Sequence, residues 1–413
     1  MIGLKRFVRD DLTLRTYALR YKWLVEELVA QRNDRREISD SGLRATGAVP
    51  ERIRVFVFLG HDFGTGWSHD ELPGINEQLP YGYYHAEDNG CTVRYSVDAK
   101  ESRVTRFLRL GVRRLVGFDL LHAWRNRDAL FDTDVVWTHT ELEHLAVLAL
   151  WRLVPCQRRP KLIAQCIWLF DKWDRLSVNK RRIYIRLLSQ ADVLTVQSSE
   201  GMKVARRALP AVRCRINPYG THMEAMVPAF FRPAHKPFRI LSLGRDMHRD
   251  WATMVAAVGG WEACEARIGA RYLNRRLVRH ATNVELVKPD SAQLQSLYDW
   301  ADVVVVALKP NVHVSGITVI TEAVLMGVPV VCTDTGGLRS YFSDDEIMYV
   351  PPNDAGAMRR AIAHLAANDT LRFAMAQTAQ ARLLRADLST RARARRMAEL
   401  SRELLAEGSD AEA

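Results

Sequence analysis

The chain has 413 residues, 48% of them apolar and 26% charged, which suits two or three globular domains with ordinary cores. Its six cysteines (Cys91, Cys156, Cys166, Cys214, Cys264 and Cys332) form no CxxC pair, so neither a zinc knuckle nor a disulfide framework is indicated and a reducing compartment is expected. A net charge of +11 suits an anionic partner, whether nucleotide diphosphate, nucleic acid or membrane surface, and the lack of a signal-peptide core or a membrane-length apolar run predicts a cytoplasmic chain.

Residues 4–37 read as a helix, with Phe7, Leu14, Leu19, Leu24 and Leu28 spaced among basic residues. It either lies on a membrane or packs as a solvated helix, since Asp10, Asp11, Glu26 and Glu27 interrupt the basic face. A linker, "SDSGLRATGAVPE", follows. From residue 52 the pattern becomes strands alternating with helices: "RIRVFVFLG", "CTVRYS", "DVVWTH", "KLIAQCIWL" and "DVLTVQS". A second series, "RILSLG", "ARIGA", "NVELV", "DVVVVAL", "PVVCTD" and "MYV", begins after "NPYGTHMEAMVPAFFRPAHKP". Such alternation predicts an α/β fold of two doubly wound, Rossmann-like domains facing across a cleft. The expected divisions are a helical extension at 1–50, a first domain at 51–230, a second at 231–390, and a C-terminal helix with a polar tail at 391–413.

Ligands of open parallel sheets bind where the strands end, so the loops after strands hold the candidate site. In "VSGITVITEAVLMGVPVVCTDTGG" (314–337), Ser315, Gly316, Ile317 and Thr318 open a short helix that stops at Gly327. Backbone N–H groups and the positive dipole end could hold a diphosphate there, and Gly316 allows close approach. Glu322, about one turn in, could accept hydrogen bonds from ribose hydroxyls. Taken alone, the stretch also reads as an ordinary helix–strand unit. In "ILSLGRDMHRDWATMVAAV" (240–258), Gly244 turns the chain after a strand, and Arg245 and Arg249 are placed to neutralise a diphosphate. Surface arginines around a capping turn are the alternative.

Together these two elements resemble GT-B glycosyltransferases, specifically the retaining, nucleotide-sugar-dependent family 4 (glycosyl transferases group 1), over roughly residues 52–390. The resemblance implies that Gly244, Arg245 and Arg249 bind the diphosphate, that Glu322 binds the ribose, and that Leu286, Val287 and Lys288 touch the base. It further implies that Gly64, Thr65 and Gly66 in "LGHDFGTGWSHDELPG" lie under the donor phosphates, with His61 and Asp62 beside the acceptor; the alternative is a surface loop. The family usually carries a Glu eight positions before Glu322, where this chain has Val314. The family's catalytic-site His after the fourth strand is likewise replaced, since "AQCIWLFDKW" offers only Trp168 or Asp171, and no general base is assigned.

The cluster "VVWTHTELEH" (His139, Glu141, Glu143, His144) reads as an acceptor contact at His139 or as helix capping, rather than as a metal site. "DTD" at 132–134 precedes its strand and reads as a turn, not as a metal-binding DxD. No metal and no tightly held cofactor is expected; the co-substrate would be a UDP- or GDP-linked sugar. The expected function is transfer of that sugar, with retention, to a carbohydrate or lipid-linked acceptor. A GT-B epimerase or hydrolase and an inert nucleotide- or sugar-binding protein are the rivals. A nucleic-acid partner is not expected, because no aromatic–basic platform is evident. The bases near the N-terminus, "RRPK" and "NKRRIYIR" suit peripheral contact with an anionic inner leaflet.

Overall fold

A computed structural model describes residues 50–61, 80–154, 156, 158–289 and 291–410. The helix read at 4–37 and its linker, and Asp62, Gly64, Thr65 and Gly66, lie outside the described residues.

Two six-stranded, wholly parallel sheets form the frame. The first runs β2-β1-β3-β4-β5-β6, from β1 (Ile53–Phe58), β2 (Cys91–Tyr95), β3 (Val135–Thr138), β4 (Lys161–Gln165), β5 (Val193–Val196) and β6 (Cys214–Ile216). The second runs β12-β11-β10-β7-β8-β9, from β7 (Phe238–Gly244), β8 (Cys264–Ala270), β9 (Val284–Leu286), β10 (Val303–Val306), β11 (Val330–Thr333) and β12 (Met348–Val350). Central strands such as β10, four consecutive buried valines, carry the β-branched, continuously apolar sequence of a sheet covered on both faces. β6 went unread because three residues, two of them exposed, carry almost no periodic signal.

Helices cover the sheets. In the first half these are α1 (Arg103–Val116), α2 (Leu120–Arg125), α3 (Arg127–Phe131), α4 (Glu141–Leu153), α5 (Leu169–Lys172), α6 (Val178–Leu188) and α7 (Ser199–Ala208). In the second they are α8 (Trp251–Val258), α9 (Ser291–Trp300), α10 (Ile317–Leu325), α11 (Ala355–Ala366) and α12 (Asp369–Arg385). Their starts follow local chemistry: Thr140 and Glu143 close a capping box on α4, and Asp250 accepts from the Thr253 N–H at the head of α8. The "DTD" segment is a turn at the foot of β3, where Asp132 and Asp134 pair with Arg54.

The last helix, α13, spans Thr390–Asp410. It belongs to the first sheet. Met397, Leu404 and Leu405 join Ile53, Val55, Val57 and Trp137 in one apolar cluster. The Trp137 indole N–H donates to Ser401 Oγ at 3.0 Å, and Arg393 donates to Tyr83 Oη at 2.8 Å and to Gln165 Oε1 at 2.7 Å. A leucine buried that deeply contributes as a core residue, so Leu404→Ala is expected to lower unfolding stability by about 2–4 kcal/mol with an unchanged denaturant slope. A loss under about 1 kcal/mol in urea titration would mean that α13 is only peripheral.

Candidate functional site

The strand order of the second sheet reverses between β7 and β10, which pair directly, so the loops leaving these two strands open the crevice of that sheet. The first loop holds Gly244 to Arg249, the second Lys309 to Gly316, and an antiparallel bridge between Arg249 and Leu308 joins them. Arg249 is 5% exposed. Its guanidinium passes so close to Gly244 that a Cβ there would overlap Nε, and a Cβ at Gly316 would stand 3.1 Å from Nη1. Gly244 is therefore needed to admit the side chain, while Gly316, with a φ of 85° and Val306 2.7 Å from where its Cβ would stand, is required by its own backbone and packing. Nε and Nη1 of Arg249 have no hydrogen-bond acceptor among the described residues, and Asp246 Oδ2 stands 3.6 Å from Nε. Burial lowers the pKa of Arg249 from its usual value, against the charges of Asp246 and Glu322. A buried cation so lightly paired is costly in an empty site and is relieved by an anion.

Gly316 is the N-cap of α10 and has no side chain to satisfy the first-turn N–H groups. The end of this helix is open to an anion. Ser315 does not cap it; its hydroxyl donates to Asp246 Oδ2 at 3.0 Å. Ile317 is buried and Thr318 exposed. Farther in, Glu322 accepts a 2.6 Å hydrogen bond from the Tyr298 hydroxyl. Burial pushes the Glu322 pKa up to about 7, against the Tyr298 hydrogen bond and the Arg249 charge. Arg245, by contrast, is exposed at the rim.

The paired glycines that end the quoted stretch have a packing role. A Cβ on Gly336, whose φ is 58°, would stand 2.6 Å from the Asn311 carbonyl oxygen, and one on Gly337 would overlap Ser198 of the first domain. The β10 loop is thus held from below, and the two domains touch there. A clasp adds to this contact. Asp171, on α5, accepts from the Val312 N–H at 2.6 Å and lies 2.5 Å from His313 Nδ1. Burial raises the Asp171 pKa, but the His313 hydrogen bond outweighs it and holds the carboxyl below its usual value. The His248 ring packs edge-on against His313 at 4.8 Å. Asp171, His248 and His313 are also a described set whose ligand atoms, all within 4.8 Å of one another, could hold a metal ion.

In the first sheet the reversal lies between β1 and β3, and there His61 and His139 sit. His61 is 3.8 Å from Glu101 and packs edge-on against His122. Burial raises the Glu101 pKa, but hydrogen bonds from Arg109 and Arg125 outweigh it and hold the carboxyl at about 2. His139 is buried, with Nδ1 2.9 Å from the Tyr83 hydroxyl and its ring stacked at 3.6 Å on half-buried Tyr81. Burial keeps its pKa well below the usual value. Glu143 completes the α4 cap, and a Cβ at Gly60 would stand 3.1 Å from its Oε1. His144 lies in the interior against Thr138 and Cys166.

Leu286, Val287 and Lys288 border a shallow hollow of about 420 Å³ whose wall includes Arg267, Gln293 and Ser296. The sequence reading brought Gly244, Arg249, Ser315, Gly316 and Glu322 to one place, and they meet. It named His248 in the turn after Gly244 but did not find Tyr298, Asp246 or His313. Tyr298 lies in the last turn of α9, in a segment read for its strand, and no sequence spacing joins His313 to Asp171.

Residues 246–368 match the family described as Glycosyl transferases group 1. No curated protein matches the chain. Among solved structures, sucrose-phosphate synthase from Thermosynechococcus elongatus is similar over 86% of this chain and 100% of its own, at 19% identity and a TM-score of 0.66. HepE of Anabaena, solved in complex with UDP and glucose, is similar over 84% and 99%, at 14% identity and a TM-score of 0.61. An α,α-trehalose-phosphate synthase (UDP-forming) from Burkholderia vietnamiensis is similar over 88% and 99%, at 13% identity and a TM-score of 0.58. The fold is GT-B.

Glu322 sets a pH dependence of its own. Its carboxyl holds a proton more firmly when folded, with a pKa of about 7, than at its ordinary value of 4.5. Stability from that proton is complete below about 4.5 and is lost as pH rises through about 7, a swing on the order of 3 kcal/mol. The melting temperature of Glu322→Gln relative to the parent is therefore expected to rise between pH 5 and 8, read by thermal denaturation across that range. A constant difference would show that Glu322 ionises as it does in water.

Proposed function

We propose that the chain transfers a sugar from a UDP- or GDP-linked donor to an acceptor hydroxyl with retention at the anomeric carbon. The observation that carries this reading is Arg249, a buried guanidinium with unused donors held between Gly244 and Gly316 beside the uncapped start of α10. A diphosphate is the ligand that answers both features, since its oxygens accept from the guanidinium and from backbone N–H groups. Glu322, with one oxygen held by Tyr298, has the other to accept from a ribose hydroxyl. The hollow beside Leu286 to Lys288 is the place for the base. The resemblance to family 4 supports retention, and the UDP bound by HepE supports the donor class.

The reaction breaks the bond from the anomeric carbon to the β-phosphate oxygen and forms one from the acceptor oxygen to the same face of that carbon. The acceptor proton passes to the departing phosphate oxygen. Arg249 and the α10 N–H groups stabilise the charge that grows there, and Arg245 at the rim adds long-range attraction. The acceptor, carbohydrate or lipid-linked, enters from the side of His61, where Glu101, Arg109 and Arg125 form a charged wall.

A thermal-shift panel with UDP, GDP, ADP and dTDP, with and without magnesium, tests the reading. One diphosphate at about a hundred times its dissociation constant should stabilise the fold by roughly 2.7 kcal/mol. The shift should vanish in Arg249→Ala, and once an acceptor is found kcat of that variant should fall about 10²- to 10³-fold. Arg249→Ala with full turnover would overturn the assignment. Product formed without any acceptor would instead mark an epimerase or hydrolase.

A further inference from the structure

Helix α1 is packed inside out. Its buried side carries Arg109, 3% exposed, which donates to Glu101 Oε1 at 2.9 Å and to Asp119 Oδ2 at 2.6 Å. Its outer side carries Val104, Phe107, Leu108 and Leu115, which are 67%, 77%, 43% and 57% exposed. Gly111 lies between them, and a Cβ there would meet nothing within 4 Å. Positions 104, 107, 108, 111 and 115 follow helical spacing, so the apolar residues form one continuous stripe. The helix contains no acidic residue; exposed Arg103 and Arg114 flank one edge of the stripe, and exposed Arg106 lies farther round the helix.

The C-terminus of α1 sits against α6, since a Cβ on Gly117 would come within 2.8 Å of Lys180 Nζ and 2.6 Å of Tyr184 Oη. That neighbour repeats the pattern, with Val178 64% and Ile185 39% exposed beside exposed Arg182 and Arg186. A water-facing helix would keep its apolar residues inside. α1 turns Val104, Phe107, Leu108 and Leu115 outward and buries Arg109, and the charge beside the stripe is of one sign.

We propose that α1, with the adjoining end of α6, docks the first domain on an anionic membrane leaflet. Phe107, Leu108, Leu115 and Val104 would enter the boundary between headgroups and acyl chains, while Arg103 and Arg114 reach the lipid phosphates and Arg106 adds positive charge nearby. No helix among the described residues is long and apolar enough to cross a membrane, so the contact is peripheral. This surface is independent of the donor site and stands whether or not the proposed reaction is correct.

The test is flotation of the full chain with vesicles of phosphatidylcholine alone and of phosphatidylcholine mixed with phosphatidylglycerol. Flotation is expected with the mixed vesicles and should weaken as salt rises. The double variant Phe107→Glu, Leu115→Glu should bind at least about tenfold less, with its melting temperature and nucleotide shift unchanged. A second variant, Arg103→Gln, Arg106→Gln, Arg114→Gln, keeps the stripe and should flatten the salt dependence. Failure of the parent chain to float, or equal flotation of the parent and the Phe107/Leu115 variant, would overturn the proposal. A dimer in sedimentation that the same double variant dissociates, without any flotation, would assign the face to a second copy of the chain.

Discussion

A guanidinium held in the interior with its donors unspent is the constraint around which the second domain is arranged. Arg249 can occupy its position only because Gly244 has no side chain, and it ends close beside Gly316, on a different loop. The loops meet only because β7 and β10 are neighbours at the point where the strand order turns back. Sheet topology, two glycines and one arginine are thus a single device. Burying a positive charge with only Asp246 nearby, and at 3.6 Å, leaves it lightly compensated.

The domain interface is built on the same loops. The segment from Asn311 to Ser315 leads into Gly316 beside the arginine, and it carries Val312 and His313, which meet Asp171. Beneath it, Gly336 and Gly337 leave room for the Asn311 carbonyl and for Ser198. Any relative movement of the domains must therefore break contacts made by residues a few positions from the candidate anion site. Ligand occupancy and domain position share one piece of backbone.

Much of this was legible in the chain. The buried strands announced themselves as apolar runs, and the loop positions of Gly244, Arg249 and Gly316, with Glu322 on the helix that follows, were read from strand ends. What could not be read is tertiary. Tyr298 reaches Glu322 from another helix, and Asp171 reaches His313 across 142 positions. His139 looked available beside its strand, yet Tyr81, through a left-handed turn with φ of 62° at Tyr81 and 61° at Gly82, lays a ring over it. The outward apolar face of α1 was missed because spacing shows that a helix has two faces, not which one the protein covers.

The final helix has a consequence for how the molecule comes into being. Trp137 and the strands around it are made early, but the residues that close their cluster, Met397, Leu404 and Leu405, follow the whole second sheet in the chain. The domain synthesised first is completed last. While the second domain is being translated, the first must wait with one side of its sheet uncovered, exposing apolar surface of the kind that recruits chaperones. A C-terminal truncation or a stalled ribosome would strand the chain in that state, with its second domain formed and its first domain open.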